Sequence, residues 1–359
     1  MRTTAFCRRQ PDLPNRGRTR LAAVRILVLG GTGWLGSELA TAGLARGAIV
    51  ACAARGSSGV APDRCAFHQV DRRDSGWWHG LDPQSWDVVI DVASDPRLVR
   101  DAAQAFASVA RTYVYISSIS VYADHSRVGG TESDAVVTPL DPAVQPSAQD
   151  YAAAKARCEL EVTEAIAERA LIVRPGLIGG PGDPTCRTTY WPWRFAHPVD
   201  ATGRVIIPDD PHAWTQVIDV RDLAQWVIEA AATRLRGVVD AVGEQVPLGT
   251  HLLLAREVGG HGGPVLALPG PWLVDEGVAA WAGTRSLPLW LGGDPGYAGL
   301  GARSGALARS LGLTTRPLRH TLRDGLNSLR HQPMGSGLTD DEERALLARW
   351  DFGAAVQSP

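Results

Sequence analysis

Short apolar runs alternate with helical patterns along the first half of the chain. The run VRILVLG is apolar over almost its whole length, as expected of a strand with both faces buried, and the stretch WLGSELATAGLARG spaces its apolar residues as a helix does. The pattern predicts strands at 24–30, 48–54, 65–71, 86–93, 112–118 and 170–176, and helices at 34–47, 96–110 and 150–169. Strands separated by helical crossovers predict an α/β fold with a doubly wound parallel sheet.

The pattern loosens after about residue 180. Another strand is predicted at 213–220, an amphipathic helix at 221–235, and later helices at 303–311, at 318–331 and after Thr339, where Glu342 completes the capping box TDDE. We therefore expect a disordered basic extension at 1–23, a sheet domain at 24–180 and a smaller mixed region at 181–359, part of which (about 213–235) returns to the sheet domain.

Composition excludes several classes of function. The 359 residues carry a net charge of −2, which gives no electrostatic footprint for nucleic acid or for an anionic membrane. No apolar window of the sequence approaches the roughly 18 residues of a transmembrane helix. The five cysteines, at positions 7, 52, 65, 158 and 186, lack CxxC spacing, and no cluster of His, Cys, Asp or Glu has metal spacing. We expect free thiols, no metal and a cytoplasmic location.

A glycine-rich loop follows the first predicted strand and opens the first predicted helix. The stretch VLGGTGWLG spaces Gly30, Gly33 and Gly36 as G-x-x-G-x-x-G. Glycines permit the tight turn and let the backbone approach a pyrophosphate, which binds at the positive N-terminus of the helix. A structural turn is the alternative, but the strand–loop–helix context is the one that dinucleotide binding requires. We therefore expect a dinucleotide cofactor.

The end of the second predicted strand distinguishes between two dinucleotides. An acidic residue at this place would bind the adenosine ribose of NAD, whereas an arginine accommodates the 2′-phosphate of NADP. The strand ends in ACAARGSSG, which offers Arg55 and small hydroxyl residues but no Asp or Glu. NADP is therefore favoured, and NAD stays an alternative in which Arg55 is only a solvated loop residue.

The chain has a single lysine among its 36 basic residues. Lys155 stands four residues after Tyr151 on a predicted helix, so the two side chains share a face. An ammonium near a phenol lowers the pKa of the phenol and can also bind a ribose, and a compact charge suits both tasks better than a guanidinium. The fifth predicted strand ends in the hydroxyl-rich ISSISVY, which points toward the same edge of the sheet. An ordinary surface pair is the alternative.

Five motifs, in this order and spacing, resemble one superfamily. They are GGTGWLG, YISSISVY, YAAAK, IVRPGLIGGPGD and VIDVRDLA, and together they look like the extended short-chain dehydrogenase/reductase superfamily of the NAD-dependent epimerase/dehydratase type. The resemblance covers about residues 24 to 235 and the remainder only loosely. It implies a Rossmann fold in which the sheet domain binds a dinucleotide and the C-terminal region binds substrate.

The resemblance also implies roles for individual residues. Ser118 would hold the substrate oxygen, Tyr151 would be the general acid and base, and Lys155 would lower the pKa of Tyr151 and bind the nicotinamide ribose. Ser117 is a weaker candidate than Ser118, because alternation along a strand sends its side chain to the other face. With Arg55 included, the residues expected to contact the cofactor are Gly30, Thr32, Gly33, Trp34, Leu35, Gly36, Arg55, Asp71, Arg72, Val92, Ala93, Ser94, Tyr151, Lys155 and Pro175.

Two positions weaken a nucleotide-sugar substrate. Nucleotide-sugar members usually carry an asparagine where this chain has Leu177, and sugar dehydratases carry an acidic residue where it has Ile119. The leading hypothesis is an NAD(P)-dependent oxidoreductase that reduces a carbonyl or oxidises an alcohol of another small molecule. One alternative is an epimerase or dehydratase of a sugar-like substrate with recycled NAD. The other is a non-catalytic NADP sensor, which typically lacks the tyrosine–lysine pair.

The loop CRTTYWPWRF is the candidate substrate wall. Tyr190, Trp191 and Trp193 could enclose an apolar ligand, and Arg187 or Arg194 could hold a carboxylate or a phosphate. The alternative is that the tryptophans pack between the two domains. The expected partners are a small-molecule substrate and, by family analogy only, a second copy of the chain through the helices after the fourth and fifth strands.

Overall fold

Strands and helices alternate regularly up to residue 241, and shorter mixed elements follow. The computed structural model of the protein describes residues 21–81, 86–329 and 335–357, so residues 1–20 of the expected basic extension lie outside the described residues. The strands are β1 (Arg25–Leu29), β2 (Ile49–Ala54), β3 (Ala66–Gln69), β4 (Val88–Asp91), β5 (Thr112–Ile116), β6 (Ala170–Pro175), β7 (Leu177–Gly179), β8 (Val205–Pro208), β9 (Trp214–Asp219), β10 (Gly237–Ala241), β11 (Glu244–Pro247), β12 (Val265–Leu268), β13 (Ala279–Trp281), β14 (Gly283–Thr284), β15 (Ser286–Pro288) and β16 (Ser336–Gly337). The α-helices are α1 (Trp34–Ala45), α2 (Pro96–Phe106), α3 (Tyr151–Ile166), α4 (Tyr190–Ala196), α5 (Val220–Ala232), α6 (Leu248–Val258), α7 (Gly270–Asp275), α8 (Ala306–Ser310), α9 (Leu318–Ser328) and α10 (Asp340–Gln357).

Seven parallel strands form the central sheet in the order β10-β6-β5-β4-β1-β2-β3. This is the doubly wound Rossmann arrangement, in which the strand order reverses between β1 and β4. The six strands predicted before residue 180 all take part in it, so the predicted fold class is confirmed. The reversal opens a crevice at the carboxyl ends of β1 and β4, which is where such sheets bind their ligands.

Two strands differ from the sequence-based expectation. The strand predicted at 213–220 forms as β9, but it pairs with β11 and β7 in a separate three-stranded sheet. The seventh strand of the central sheet is β10, which has no counterpart among the predicted strands. Its five residues, GVVDA, include the buried Asp240, whose carboxylate lies 2.7 Å from Nε of Arg303. An acidic residue interrupts the apolar run, and the arginine that compensates for it is distant in sequence.

Helices cover both faces of the central sheet. Along β1, Ile26 and Val28 face the layer that contains α1 and α5, whereas Leu27 and Leu29 face the layer that contains α2 and α3. Successive side chains of a strand point to opposite faces, so a parallel strand covered on both faces needs apolar residues throughout. The two layers leave the carboxyl ends of the strands as the open edge of the sheet.

A separate apolar core lies among the later elements. It contains Trp191 of α4, Leu252 of α6 and Leu346 of α10, all of them buried. The predicted capping box is present, because the Thr339 N–H donates to Oε2 of Glu342 at 2.8 Å and the Glu342 N–H donates to Oγ1 of Thr339 at 3.3 Å. The domain boundaries of the sequence analysis stay a prediction.

A buried ion pair ties α4 to α10 inside this core. Nε of Arg194 lies 2.7 Å from Oε2 of Glu343, and both side chains are 0% exposed. Arg194 also donates to the carbonyl oxygen of Leu338 at 2.9 Å, and the Ile206 N–H donates to Oε1 of Glu343 at 2.9 Å. Burial raises the pKa of Glu343, and the charge of Arg194 opposes that shift. The Arg194 guanidinium is therefore part of the C-terminal core.

We predict that Arg194→Met lowers the free energy of unfolding by about 3–5 kcal/mol, because the Glu343 carboxylate stays buried without its cation. Urea unfolding followed by circular dichroism measures the change. The matched control is Arg344→Met, since the Arg344 side chain is 50% exposed in its pair with Asp341, and an exposed pair contributes about 1 kcal/mol or less. Equal losses in both variants would contradict a structural role for the buried pair.

Candidate active site

The glycine-rich loop joins β1 to α1 with almost no free space around its backbone. Gly30 has φ +89°, a left-handed conformation that favours glycine. A Cβ atom on Gly36 would lie 2.2 Å from the carbonyl oxygen of Gly30, and one on Gly31 would lie 2.3 Å from Sγ of Cys52. Helix α1 begins after Gly33 without a capping side chain and without an acidic residue in its first turn. Its N–H groups and positive dipole end are therefore free for a pyrophosphate, so the loop fits a dinucleotide.

A cavity of about 320 Å³ lies over the carboxyl ends of β1, β2 and β4. Among the residues predicted to contact the cofactor, those that line it are Gly30, Thr32, Gly33, Arg55, Asp71, Arg72, Val92 and Ala93. Ser57, Ser58 and Arg73 also line it, although the sequence analysis did not single them out. Asp71 lies 2.6 Å from Nη2 of Arg73, and hydrogen bonds from Arg73 lower the pKa of Asp71 to about 2.

The Arg72 side chain has a structural partner within this cavity. Its Nη1 and Nη2 atoms donate to the two carboxylate oxygens of Asp91 at 2.8 and 2.7 Å. Asp91 also accepts hydrogen bonds from the Ala93 N–H at 3.0 Å and from the Tyr113 hydroxyl at 3.0 Å. Asp91 thus compensates the charge of Arg72 and also holds the backbone of Ala93, in the segment that follows β4. The sequence analysis missed Asp91, which is fully buried at the end of an apolar strand.

A second cavity, of about 430 Å³, adjoins the first at Val92. The predicted residues that line it are Trp34, Leu35, Val92, Ser94, Ser118, Tyr151, Lys155 and Pro175. Of the predicted cofactor contacts, Gly36 alone lines neither cavity, and it acts instead through its close approach to Gly30. The two cavities together form one cleft along the carboxyl edge of the sheet, from Arg55 to Tyr151.

Lys155 is buried beneath the second cavity, with 3% of its surface exposed. Its ammonium group donates to the carbonyl oxygens of Ala93 at 3.0 Å and of Ile116 at 2.7 Å, and it lies 4.9 Å from the centre of the Tyr115 ring. Burial lowers the pKa of Lys155 to about 8, and the charge of Asp91 opposes that shift. The lysine thus joins α3 to the segments that follow β4 and β5.

Tyr151 is the first residue of α3 and is 43% exposed at the mouth of the cavity. Burial of the hydroxyl end raises its pKa, whereas a hydrogen bond with Ser118 and the charge of Arg187 lower it. The sequence analysis assigned the lowering of this pKa to Lys155. In the structure the Lys155 ammonium is bound to backbone carbonyls, and the cation that lowers the pKa is Arg187. Of the two tasks expected of Lys155, lowering the pKa of Tyr151 thus falls to Arg187 and Ser118 in the structure.

The two serines after β5 point to different places, as strand alternation predicts. Both serines line the cavity, but their hydroxyls have different partners, and Oγ of Ser118 accepts a hydrogen bond from the Ser120 N–H at 3.1 Å. The Ser117 hydroxyl donates to Oε1 of Glu159 at 2.6 Å, and Glu159 is in turn paired with Arg174 at 2.6 Å. Ser117 is therefore committed to a buried network, and Ser118 is the serine whose hydroxyl meets Tyr151.

Of the residues expected to form the substrate wall, Arg187 lines the cavity, whereas Tyr190, Trp191, Trp193 and Arg194 do not. Tyr190, Trp191 and Arg194 are buried in the C-terminal core, where Trp191 donates from Nε1 to the carbonyl oxygen of Pro288 at 2.7 Å. Trp193 stacks on His197 with ring centres 4.0 Å apart. Aromatic content did not distinguish a packed helix from a pocket, so this expectation is corrected here. Besides Arg187, the residues that form this wall are Thr185, Trp214, Thr215, Gln216, Trp281, Leu289, Leu300 and Gly301.

The described residues contain neither a metal-binding cluster nor a membrane-spanning helix. Over residues 21–81, 86–329 and 335–357, no group of three or more His, Cys, Asp or Glu side chains is placed to hold a metal ion. In the same part of the chain, no helix combines the length and the apolar character needed to cross a membrane.

Comparison with known proteins identifies the family and the fold. The profile described as "NAD dependent epimerase/dehydratase family" matches residues 26–110 and 97–241, which is more than half of the chain. No curated protein matches the sequence.

Solved structures share the fold at low identity. The UDP-glucose 4-epimerase of Thermus thermophilus, in complex with NAD, has 18% identity and a TM-score of 0.58, over 85% of this chain and 98% of that one. The UDP-glucuronic acid 4-epimerase of Bacillus cereus, also with NAD, has 15% identity and a TM-score of 0.59, over 85% and 98% of the two chains. The UDP-N-acetylglucosamine 4-epimerase of Bacillus cereus has 15% identity and a TM-score of 0.60, over 86% and 100%.

We predict that Lys155 titrates near pH 8 in the folded protein, because burial lowers its pKa to about 8. The group is charged below this pH and neutral above it. Lys155 is the only lysine of the sequence, so lysine labelled with ¹³C at Cε gives one side-chain signal, whose NMR shift against pH measures the midpoint. The control is the urea-unfolded protein, in which the midpoint should rise to about 10.4. A midpoint near that value in the folded protein would contradict the burial effect.

Proposed function

The chain belongs to the NAD-dependent epimerase/dehydratase family, and we propose that it is an NAD(P)-dependent oxidoreductase of the short-chain dehydrogenase/reductase type. It would transfer hydride between the nicotinamide and a carbonyl or hydroxyl carbon of a small molecule. The observation that carries this proposal is the convergence of Ser118, Tyr151 and Lys155 in one cavity, which continues into the cleft around the glycine-rich loop.

Each side chain of this set has a distinct task in the proposed reaction. Ser118 holds the substrate oxygen, and Tyr151 gives a proton to that oxygen in reduction or takes it in oxidation. Lys155 would hold the nicotinamide ribose, and its ammonium is already fixed by two carbonyl oxygens. The bound nicotinamide supplies or accepts the hydride. Because Arg187 and Ser118 favour the ionised form of Tyr151, they bring its pKa closer to the working pH.

The wall residues support a small molecule other than a nucleotide sugar. Leu177 lines the cavity at the position where nucleotide-sugar enzymes usually carry an asparagine, and Ile119 lines it where sugar dehydratases carry an acid. Three tryptophans, at 34, 214 and 281, also line the cavity. Apolar and aromatic side chains of this kind are typical of the walls of sites for compact organic substrates.

A second candidate function is an epimerase that holds and recycles NAD. It is favoured by the three similar structures, which are described as epimerases of UDP-linked sugars, two of them in complex with NAD. Such an enzyme retains its dinucleotide through purification and consumes none in turnover. A non-catalytic NADP sensor is disfavoured, because a sensor has no need for a tyrosine and a lysine placed in one cavity. Pairing of two copies through α2 and α3 stays a prediction.

The surroundings of the adenosine end support NADP as the preferred cofactor. Arg55, Ser57 and Ser58 line the cavity just after β2, and no acidic residue stands at the end of that strand. Asp71 faces the same cavity but is paired with Arg73. A 2′-phosphate would therefore meet arginine and hydroxyl groups, as NADP sites require.

We predict that Tyr151→Phe abolishes NADPH-linked turnover and leaves the affinity for NADPH within about twofold, because the variant loses the transferable proton and little contact area. Stopped-flow absorbance of NADPH measures turnover, and fluorescence titration of NADPH measures affinity.

Three outcomes separate the candidate functions. Activity retained in Tyr151→Phe would exclude the proposed proton transfer. Purified protein that carries NAD and interconverts isomers without net NADPH consumption would identify the epimerase. Tight NADPH binding to a wild-type protein that turns over no carbonyl or alcohol substrate would favour the sensor.

We predict that Arg55→Ala lowers the ratio of NADH to NADPH dissociation constants by about tenfold or more, because a charged hydrogen bond to the 2′-phosphate is lost. Titration of both cofactors by fluorescence measures the ratio. The matched control is Arg64→Ala, an arginine in the same connection between β2 and β3 that does not line the cavity. An unchanged ratio in Arg55→Ala would refute this basis for NADP preference.

A further inference from the structure

The second cavity is cationic. Among the described residues that line it, Lys155 and Arg187 carry positive charge and none is acidic. The Lys155 ammonium is held by two backbone carbonyl oxygens. Arg187 is thus the cation that faces the cavity with hydrogen-bonding capacity to spare.

Arg187 has no carboxylate partner among the residues that the structure describes. Its Nε donates to Oγ1 of Thr185 at 3.2 Å, and its guanidinium lies 5.3 Å from the centre of the Trp281 ring. The acid whose charge acts on it is Asp183. Asp183 is already committed, because its carboxylate accepts hydrogen bonds from the Thr185 N–H at 2.8 Å and from the Thr188 hydroxyl at 3.2 Å.

The four arginines that are buried among the described residues differ from Arg187. Arg72, Arg174, Arg194 and Arg303 each form an ion pair with a carboxylate at 2.6 to 2.9 Å. Taking a cation out of water without an anion is costly, and these four pairs offset that cost. Arg187 is partly buried without such a pair, and burial lowers its pKa. An anion arriving in the cavity would supply the missing partner.

The backbone around this wall is held in an unfavourable conformation. Cys186, which precedes Arg187, has φ +54°, and the wall residues Trp281 and Leu289 have φ +69° and +72°. Left-handed backbone costs about 1 kcal/mol or more for residues with a side chain, and it persists where the surroundings impose it. The Trp281 N–H is fixed by a 2.7 Å hydrogen bond to the carbonyl oxygen of Trp290. The backbone around Trp281 therefore holds its ring in place against Arg187.

We propose that Arg187, stacked on Trp281, binds an anionic group of the substrate, a carboxylate or a phosphate, beside the carbon that reacts. A guanidinium stacked on an indole keeps its N–H edge free for a two-point hydrogen bond to such an oxyanion. Tyr151 and Arg187 line the same cavity, so an anion bound by Arg187 would share that cavity with the proton donor. This inference rests on the proposed function and narrows its substrate class to acidic small molecules.

The test measures binding of matched charged and neutral probes to the NADPH-loaded protein. Isothermal titration compares benzoate and phenyl phosphate with benzamide, which has a similar shape and no charge. We expect both anions, or one of them, to bind wild-type protein more tightly than benzamide does. Arg187→Gln should weaken anion binding about tenfold or more and leave benzamide binding unchanged. The anion that loses more affinity distinguishes a carboxylate from a phosphate site.

Two further variants secure the interpretation. Arg187→Lys keeps the charge and should retain part of the anion affinity. Arg236→Gln removes an exposed arginine just before β10, at the opposite end of the sheet, and should change nothing. Retained benzamide affinity shows that Arg187→Gln still folds.

Two results would overturn the inference: anions that bind wild-type protein no better than benzamide, or anions that bind Arg187→Gln as they bind wild type. Because binding is measured without turnover, a protein that binds anions through Arg187 but fails the Tyr151→Phe test loses only the proposed function. If NADPH does not bind, the same titrations on the cofactor-free protein decide the question.

Discussion

The ammonium group of Lys155 holds the candidate active site together. It is bound by the carbonyl oxygens of Ala93, just after β4, and of Ile116, the last residue of β5, while its stem belongs to α3. The ends of two strands and the start of one helix therefore meet at a single buried cation. Tyr151 and Ser118 lie on two of the three connected segments. The hydrogen bonds of Lys155 therefore fix the distance between them without a bound ligand. Preorganisation of this kind reduces the entropy that is lost when side chains are ordered on ligand binding.

A buried polar network lies beside this arrangement, on the same face of α3. Glu159, one helical turn beyond Lys155, is paired with Arg174 of β6 at 2.6 Å. Arg174 donates to the Tyr122 hydroxyl at 2.9 Å, and that hydroxyl donates to Asp240 of β10 at 2.7 Å. Asp240 is in turn paired with Arg303 at 2.7 Å. Networks like this add little net stability but tolerate few alternative packings, because each misplacement leaves a buried charge unpaired.

The glycine-rich loop and many residues of the first cavity were recognisable from the sequence, whereas in the wall of the second cavity the sequence pointed only to Arg187. Strands buried on both faces read as apolar runs, and the glycines between β1 and α1 mark a backbone too crowded for side chains. These features are recognisable because all the residues that form them are close together in the sequence. The wall depends instead on contacts between distant segments: Trp191 packs in the core through Pro288, and Trp281 reaches Arg187 through a backbone conformation that no residue pattern announces. Strand β10 was missed for the same reason.

The wall of the second cavity includes a part of the chain that the family profile does not cover. The family profile ends at residue 241, while Trp281, Leu289, Leu300 and Gly301 enter the second cavity from beyond it. Part of this wall is thus distant in sequence from the glycine-rich loop and from the pair of Tyr151 and Lys155. Substitutions after residue 241 can therefore change the shape of this wall while the glycine-rich loop and α3, which Lys155 anchors, stay the same.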